Sequence, residues 1–277
     1  MLLGALLDAG LGLDELKEDL AGLGLSDYEL KATLTVSHGI SGTRFEVLDQ
    51  GHDRPASNLA AVRGIIEGGE LAPKVALMSL TVFQRLAQAE AEVHGITIDE
   101  VHFHEIGAID SLVDIVGFCA SIQRLQIDSL YASPLPLGSG SVKTEHGILP
   151  VPVPATLALL ASARAPVIAS EAKSELVTPT GAALLSTLAC FHRPAMVIHR
   201  VGCGFGAKEF PWPNMVRVWL GEELHPQAEL PAHATLRTRA RAHEHQHDDG
   251  HSADAHVHPR QHDASDARIP PEGHRHP

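Results

Sequence analysis

Apolar and polar positions alternate with two distinct periods along the first 224 residues. Segments 1–9 and 14–23 space their apolar residues as helices do, and Asp14 is placed to cap the second. Residues 28–37 and 43–48 alternate β-branched with polar side chains, and 38–42 between them read as the turn of a hairpin. Helical spacing returns at 57–67 and again at 74–93, where it is long and strongly amphipathic. A brief strand over 101–104 leads into a helix over 110–125. A strand at 130–132 then opens into a loop rich in Gly, Ser and Pro. A helix at 155–161, a strand near Val167, a helix at 181–190 and strands at 196–201 and 215–220 complete the pattern. Strands alternating with helices predict an α/β fold, a mixed sheet sandwiched by helices, with no internal repeat.

The pattern stops near Glu223. Beyond it His, Asp, Arg, Ala and Pro dominate with almost no large apolar residue. Such a segment buries too little surface to offset its ordering entropy. The expected organisation is a folded α/β domain over 1–224 and a disordered His-rich tail over 225–277.

Charge narrows the partners. A formal charge of −13 argues against nucleic acid, whose phosphates need a basic surface, and against an anionic membrane. Both exclusions weaken at low pH, where the 19 histidines gain charge. Cys119, Cys190 and Cys203 are far apart and form neither a CxxC pair nor a disulfide framework. Cys119 sits in an apolar run and reads as a core residue. The apolar start of the chain lacks a basic lead and is cut by Asp8. No stretch nears the ~18 apolar residues of a membrane span, so the expected location is cytoplasmic.

Chemistry concentrates in three places. Ten histidines fall between His233 and His276, interleaved with acids as in His243-Glu244-His245-Gln246-His247-Asp248-Asp249. Neutral imidazole ligates Ni²⁺, Cu²⁺ and Zn²⁺, and neighbouring carboxylates favour a cation. A flexible run of weak ligands binds by avidity. His243, His245, His247, His251, His256 and His258 are its densest part. They should load above about pH 6.5 and release below it.

The second place is Val101-His102-Phe103-His104-Glu105, followed by Asp110 and Asp114. On a strand His102 and His104 share a face; on a helix Asp110 and Asp114 share one. His102, His104, Glu105 and Asp110 are the candidate metal ligands of the body, or a general acid–base group. The plain alternative is that the histidines satisfy backbone groups and Asp110 caps a helix.

The third is a set of glycine-rich loops. Gly138, Ser139, Gly140, Ser141 and Lys143 resemble a phosphate loop, although Val142 stands where a Walker A motif has glycine. Such a loop can still form an anion nest. Thr178-Pro179-Thr180-Gly181 offers a helix N-terminus to a phosphate, with Thr180 and Gly181 as the candidates. Gly202-Cys203-Gly204-Phe205-Gly206 is a third candidate for an anion, between two strands. Each taken alone is more often just a turn.

Four stretches together carry a wider likeness: 101–117 (VHFHEIGAIDSLVDIVG), 131–154 (YASPLPLGSGSVKTEHGILPVPVP), 175–183 (ELVTPTGAA) and 201–222 (VGCGFGAKEFPWPNMVRVWLGE). The chain resembles the LarC family of nickel-insertion proteins over nearly all of 1–222. The resemblance implies insertion of Ni²⁺ into pyridinium bisthiocarboxylic acid mononucleotide, giving the nickel-pincer cofactor of lactate racemase. It also implies CTP and Mg²⁺ or Mn²⁺, and lyase-type cyclometallation. Relatives are expected to carry an extra strand and loop before Met1, and a His-rich insertion near 49–57, where this chain has only His52. The family's CTP-dependent domain is expected after Glu222, in some relatives as a separately encoded chain. On this reading the chain is a nickel-holding part that needs that partner, with homo-oligomerisation left open.

Three functions follow: cofactor maturation, a nickel store or metallochaperone without catalysis, and a metal-dependent hydrolase using the His102 segment. The last lacks a complete set of ligands with a positioned base.

Overall fold

The computed structural model describes residues 1–26, 28–49, 56–103 and 109–224, all within one compact unit. The His-rich tail lies outside the described residues.

The main sheet is mixed, as expected. Strand β1 (Tyr28–Ser37) pairs antiparallel with β2 (Ile40–Asp49) through ten residue pairs, from Tyr28 opposite Asp49 to Ser37 opposite Ile40. A two-residue turn joins them, with His38 and Gly39 both at positive φ (52° and 78°), as a type I′ hairpin requires. Strand β2 then runs parallel to β7 (Met196–Phe205), which pairs antiparallel with β8 (Met215–Glu223), giving the order β1-β2-β7-β8. Leu30 is buried on the inner face of β1, and its partner is Val47. The neighbouring positions Glu29, Lys31, Arg44 and Glu46 belong to the opposite, polar face, since side chains alternate with period two.

Helix α1 (Leu2–Asp8) lies across β7 and β2, and α5 (Ile109–Arg124) packs beside it against β2. Helix α2 (Leu13–Ala21) closes over α5, where Arg124 makes a two-pronged bond to Asp19, 2.8 and 2.7 Å. Its N-cap is Gly12 rather than Asp14: the Glu15 carboxylate accepts from the Gly12 N–H at 3.1 Å, and Asp14 falls in the first turn.

Helices α3 (Leu59–Gly68) and α4 (Pro73–His94) follow the predicted amphipathic segments. The Asn58 side chain caps α3 by accepting from Ala61 N–H at 2.9 Å. Helix α4 stacks on α5, α6 (Pro154–Ser162) and α7 (Pro179–Leu188). Between these layers lie Phe83, Leu86, Phe103, Leu112, Ile115, Phe118 and Leu159, none more than 2% exposed. Cys119 is buried among them, as its apolar neighbours predict.

Two small sheets complete the fold. Strand β3 (Leu135–Leu137) pairs parallel with β6 (Val167–Ala169), and β4 (Ser141–Thr144) forms a hairpin with β5 (Gly147–Pro150). Three expectations change. Residues 101–103 are not a strand: a 3₁₀ turn at Ile98–Glu100 precedes them, and the Phe103 N–H donates to Ser57 O at 2.8 Å. The 130–132 strand reduces to a single bridge between Tyr131 and Cys190. Residues 202–205 lie inside β7 instead of a turn. Among the described residues no helix is long and apolar enough to cross a membrane.

Candidate functional site

The first turns of helix α5 carry two acids. Asp110 and Asp114 are one turn apart, as the sequence spacing predicts. Asp49, at the end of β2, is near enough to disfavour charge on Asp110, and the Met1 α-amine is near enough to favour charge on Asp114.

The two carboxyls differ in setting. Asp110 is exposed as a residue, yet desolvation of its carboxyl raises its pKa above the usual aspartate range, with Asp49 adding to the rise. Its Oδ1 also accepts from the Ser111 N–H at 2.8 Å, which works the other way. Asp114 is half-buried, and desolvation pushes it up to about 6. The Met1 amine opposes that rise and the Asp110 charge reinforces it. Desolvation and mutual repulsion thus both favour the neutral forms of these two carboxyls, and the Met1 amine opposes this at Asp114.

Of the predicted ligands, His102 is exposed and sits in the extended segment before this helix. His104, Glu105 and the tail histidines His243, His245, His247, His251, His256 and His258 lie outside the described residues. Among the described residues, no group of three or more His, Cys, Asp or Glu side chains is gathered to hold a metal.

The second region contains two of the predicted glycine loops. Gly138 follows β3 and packs flat on the 172–174 segment: a Cβ there would collide with Ser174 O and lie 3.0 Å from Ala172 O. Ser139 donates its N–H to Ala172 O at 2.8 Å, so that donor is already committed. Gly140 takes φ 96° and turns the chain into β4. Ser141 and Lys143 therefore stand on a hairpin strand, both exposed, rather than in a nest. The Lys208 Nζ donates to Ser174 Oγ at 2.9 Å.

The 172–178 stretch then runs on to α7. The Thr178 hydroxyl caps that helix by accepting from the Gly181 N–H at 3.2 Å, so Gly181's donor is also occupied, while Thr180 lies in the first turn. Thr156, in the first turn of α6, donates to Val177 O at 3.4 Å. The Gly138 loop and the Thr178 helix start, about 40 residues apart, are thus tied to one connecting segment. Sequence reading missed Asp49, Ser174 and Lys208, since nothing local marks them.

The third predicted loop has a different explanation. Gly202 and Gly204 face α1, and a Cβ on either would strike the helix backbone at Ala5. These glycines permit close helix-on-strand packing.

Fold and site together define an α/β protein with two acids one turn apart at a helix start and an exposed lysine on a hairpin after a glycine-bearing loop. The chain belongs to a known family: residues 1–254 match the family described as "Nickel insertion protein". It is 49% identical over 223 residues to a "Putative nickel insertion protein" of Roseiflexus castenholzii, covering 80% of this chain and 56% of the relative. The corresponding protein of Thermomicrobium roseum is 48% identical over 223 residues, covering 80% and 55%. A "Pyridinium-3,5-bisthiocarboxylic acid mononucleotide nickel insertion protein" of Desulfitobacterium hafniense is 45% identical over 226 residues, covering 80% and 55%. The chain spans about half the length of these relatives. No solved structure matches it.

Proposed function

We propose that this chain captures Ni²⁺ and delivers it to pyridinium bisthiocarboxylic acid mononucleotide, serving the making of the nickel-pincer cofactor of lactate racemase. The observation that carries this reading is family membership, together with the substrate named for the Desulfitobacterium relative. Nickel here is the cargo. His102 and Asp110, with His104 and Glu105, are its proposed resting place in the body, and the tail histidines are its collector. The nucleotide phosphate is proposed to lie near Gly138, Ser139, Gly140, Ser141 and Lys143, within reach of Thr180 and Gly181. Nickel moves readily from imidazole and carboxylate to softer thiocarboxylate and carbanion donors.

The insertion step itself, a CTP-dependent cyclometallation of the lyase class using Mg²⁺ or Mn²⁺, is assigned to a further domain working with this one in the cytoplasm. The domain organisation proposed is the α/β body to residue 224 and a metal-collecting tail from 225.

The test combines the chain with Ni²⁺, CTP, Mg²⁺ and the thiocarboxylate precursor, with and without the remainder of the Desulfitobacterium relative. Product is expected only with both parts present. If the mixture forms no nickel-containing nucleotide although the chain binds nickel in equilibrium dialysis, the chain is a nickel store or metallochaperone.

A further inference from the structure

The loop that joins β7 to β8, residues 206–214, carries Phe210-Pro211-Trp212-Pro213. Four hydrogen bonds hold it. At its neck the Gly206 N–H donates to Asn214 O at 2.9 Å, and Asn214 Nδ2 donates to Lys208 O at 2.9 Å. Arg44 Nη2 donates to Gly206 O at 3.4 Å, and Lys208 Nζ to Ser174 Oγ at 2.9 Å. A proline on either side of Trp212 fixes φ at both neighbours. The Phe210 and Trp212 rings stack nearly parallel, with centroids 5.5 Å apart and planes 9° from one another. Phe210 is half-buried, and Trp212 remains 37% exposed.

The chain's two tryptophans differ in what their rings meet. Trp219, on β8, has the Arg193 guanidinium 4.7 Å from its ring centroid. Trp212 has the apolar ring of Phe210 against it. Among aromatic side chains, indole is the best partner for a cation over its face. Phe210 covers one face of Trp212, and the residue still keeps over a third of its surface in water. Packing alone accounts for a stacked pair. It does not account for holding the larger ring outermost on a loop braced by two prolines and four hydrogen bonds. The brace also sets the position: Lys208 ties the loop to Ser174, whose carbonyl Gly138 lies flat against. The aromatic pair and the glycine loop thus share one anchor.

We infer that Trp212, backed by Phe210, is a stacking platform for the ring of a pyridinium mononucleotide. A pyridinium is planar, cationic and electron-poor, so it gains both from stacking and from the negative face of the indole. A loop that is already rigid loses little entropy on receiving it. The identity of the ring rests on the nucleotide reading above, with the phosphate at the Gly138 loop. The platform rests on Phe210 and Trp212.

The full chain with Trp219→Phe, whose single indole is Trp212, is titrated with nicotinamide mononucleotide, and the intensity and lifetime of its fluorescence are followed. Stacking quenches saturably at unchanged lifetime. Quenching that rises linearly while the lifetime shortens is collision alone and overturns the platform, as does no quenching. Calorimetry then measures the thiocarboxylate precursor on the wild-type chain, on Trp212→Ala and on Trp212→Phe. Trp212→Ala should weaken binding about 5-fold or more, and Trp212→Phe should retain much of the affinity. Equal affinity in wild type and Trp212→Ala overturns the platform and leaves the nucleotide reading intact. Saturable quenching by nicotinamide mononucleotide in a chain that binds no precursor does the reverse: the nucleotide reading fails and the platform stands.

Discussion

A Cβ added to Gly4 of α1 would project to 3.4 Å from the Cα of Gly204 in β7, and to 2.6 Å from Thr43 O of β2. The helix and the sheet approach backbone to backbone at this point. Asp8, one turn on, exploits the closeness: its carboxylate accepts from the Cys203 N–H at 2.8 Å and the Thr43 hydroxyl at 3.2 Å.

Gly204→Ala is therefore expected to destabilise the protein although the new methyl is apolar. The Cβ would meet Met1 O and Ala5 N, and overpacked positions of this kind cost about 1–3 kcal/mol. Urea unfolding should show a lower midpoint at unchanged m-value. An unchanged midpoint would show that α1 can lift off β7 at no cost.

This contact also marks where sequence reading stopped. A Gly-x-Gly-x-Gly run looks like a turn because glycine is common in turns; here it is strand, and the reason is a helix almost 200 residues earlier. Residues 101–103 failed differently: Val101 and Phe103 are buried and His102 is exposed, the alternation of a strand, without a partner strand to pair with. The β1–β2 hairpin was legible from its alternation, but the turn expected over 38–42 shortens to His38 and Gly39, because β2 already begins at Ile40. Within the site the Asp110–Asp114 spacing was legible, being local to one helix. Asp49 joins them only through the hairpin's tertiary placement.

Asp114 sets a pH dependence. Its carboxyl titrates near 6 when folded and near 3.8 when unfolded, so between those values the folded protein holds the extra proton. Stability must then fall as pH rises from about 4 to about 6, and the penalty persists above that. A shift of this size corresponds to roughly 2–3 kcal/mol. In metal-free protein Asp114→Asn should gain stability over wild type at pH 7 and little at pH 4. Thermal or denaturant melts at the two pH values read the difference. Equal gains at both would show that the carboxyl is not strained by burial.

The three thiols should react in a fixed order. Cys119 is buried, and burial pushes its thiol up to about 11, with the neighbouring Ser79 hydroxyl working the other way. Since the thiolate is the nucleophile, iodoacetamide at pH 7.5 should label the exposed Cys190 first and the half-buried Cys203 more slowly. Cys119 should be modified only on unfolding. Mass spectrometry of a labelling time course checks this, and early labelling of Cys119 would mean the α4–α5 interface opens.

The phosphate region gives the last prediction, because it separates a positioning hydroxyl from a contacting cation. Thr178→Ala removes the cap that accepts from Gly181 and should cost about 1 kcal/mol of stability, with Thr178→Ser restoring most of it. Lys143 is exposed on β4, so Lys143→Ala should leave stability within about 0.5 kcal/mol of wild type. If Lys143 contacts the phosphate of the thiocarboxylate mononucleotide, the same substitution should weaken nucleotide binding several-fold, more at low than at high salt. Calorimetric titration at two ionic strengths distinguishes these cases. A loss of affinity in Thr178→Ala that Thr178→Ser repairs, with none in Lys143→Ala, would move the phosphate from the hairpin to the start of α7.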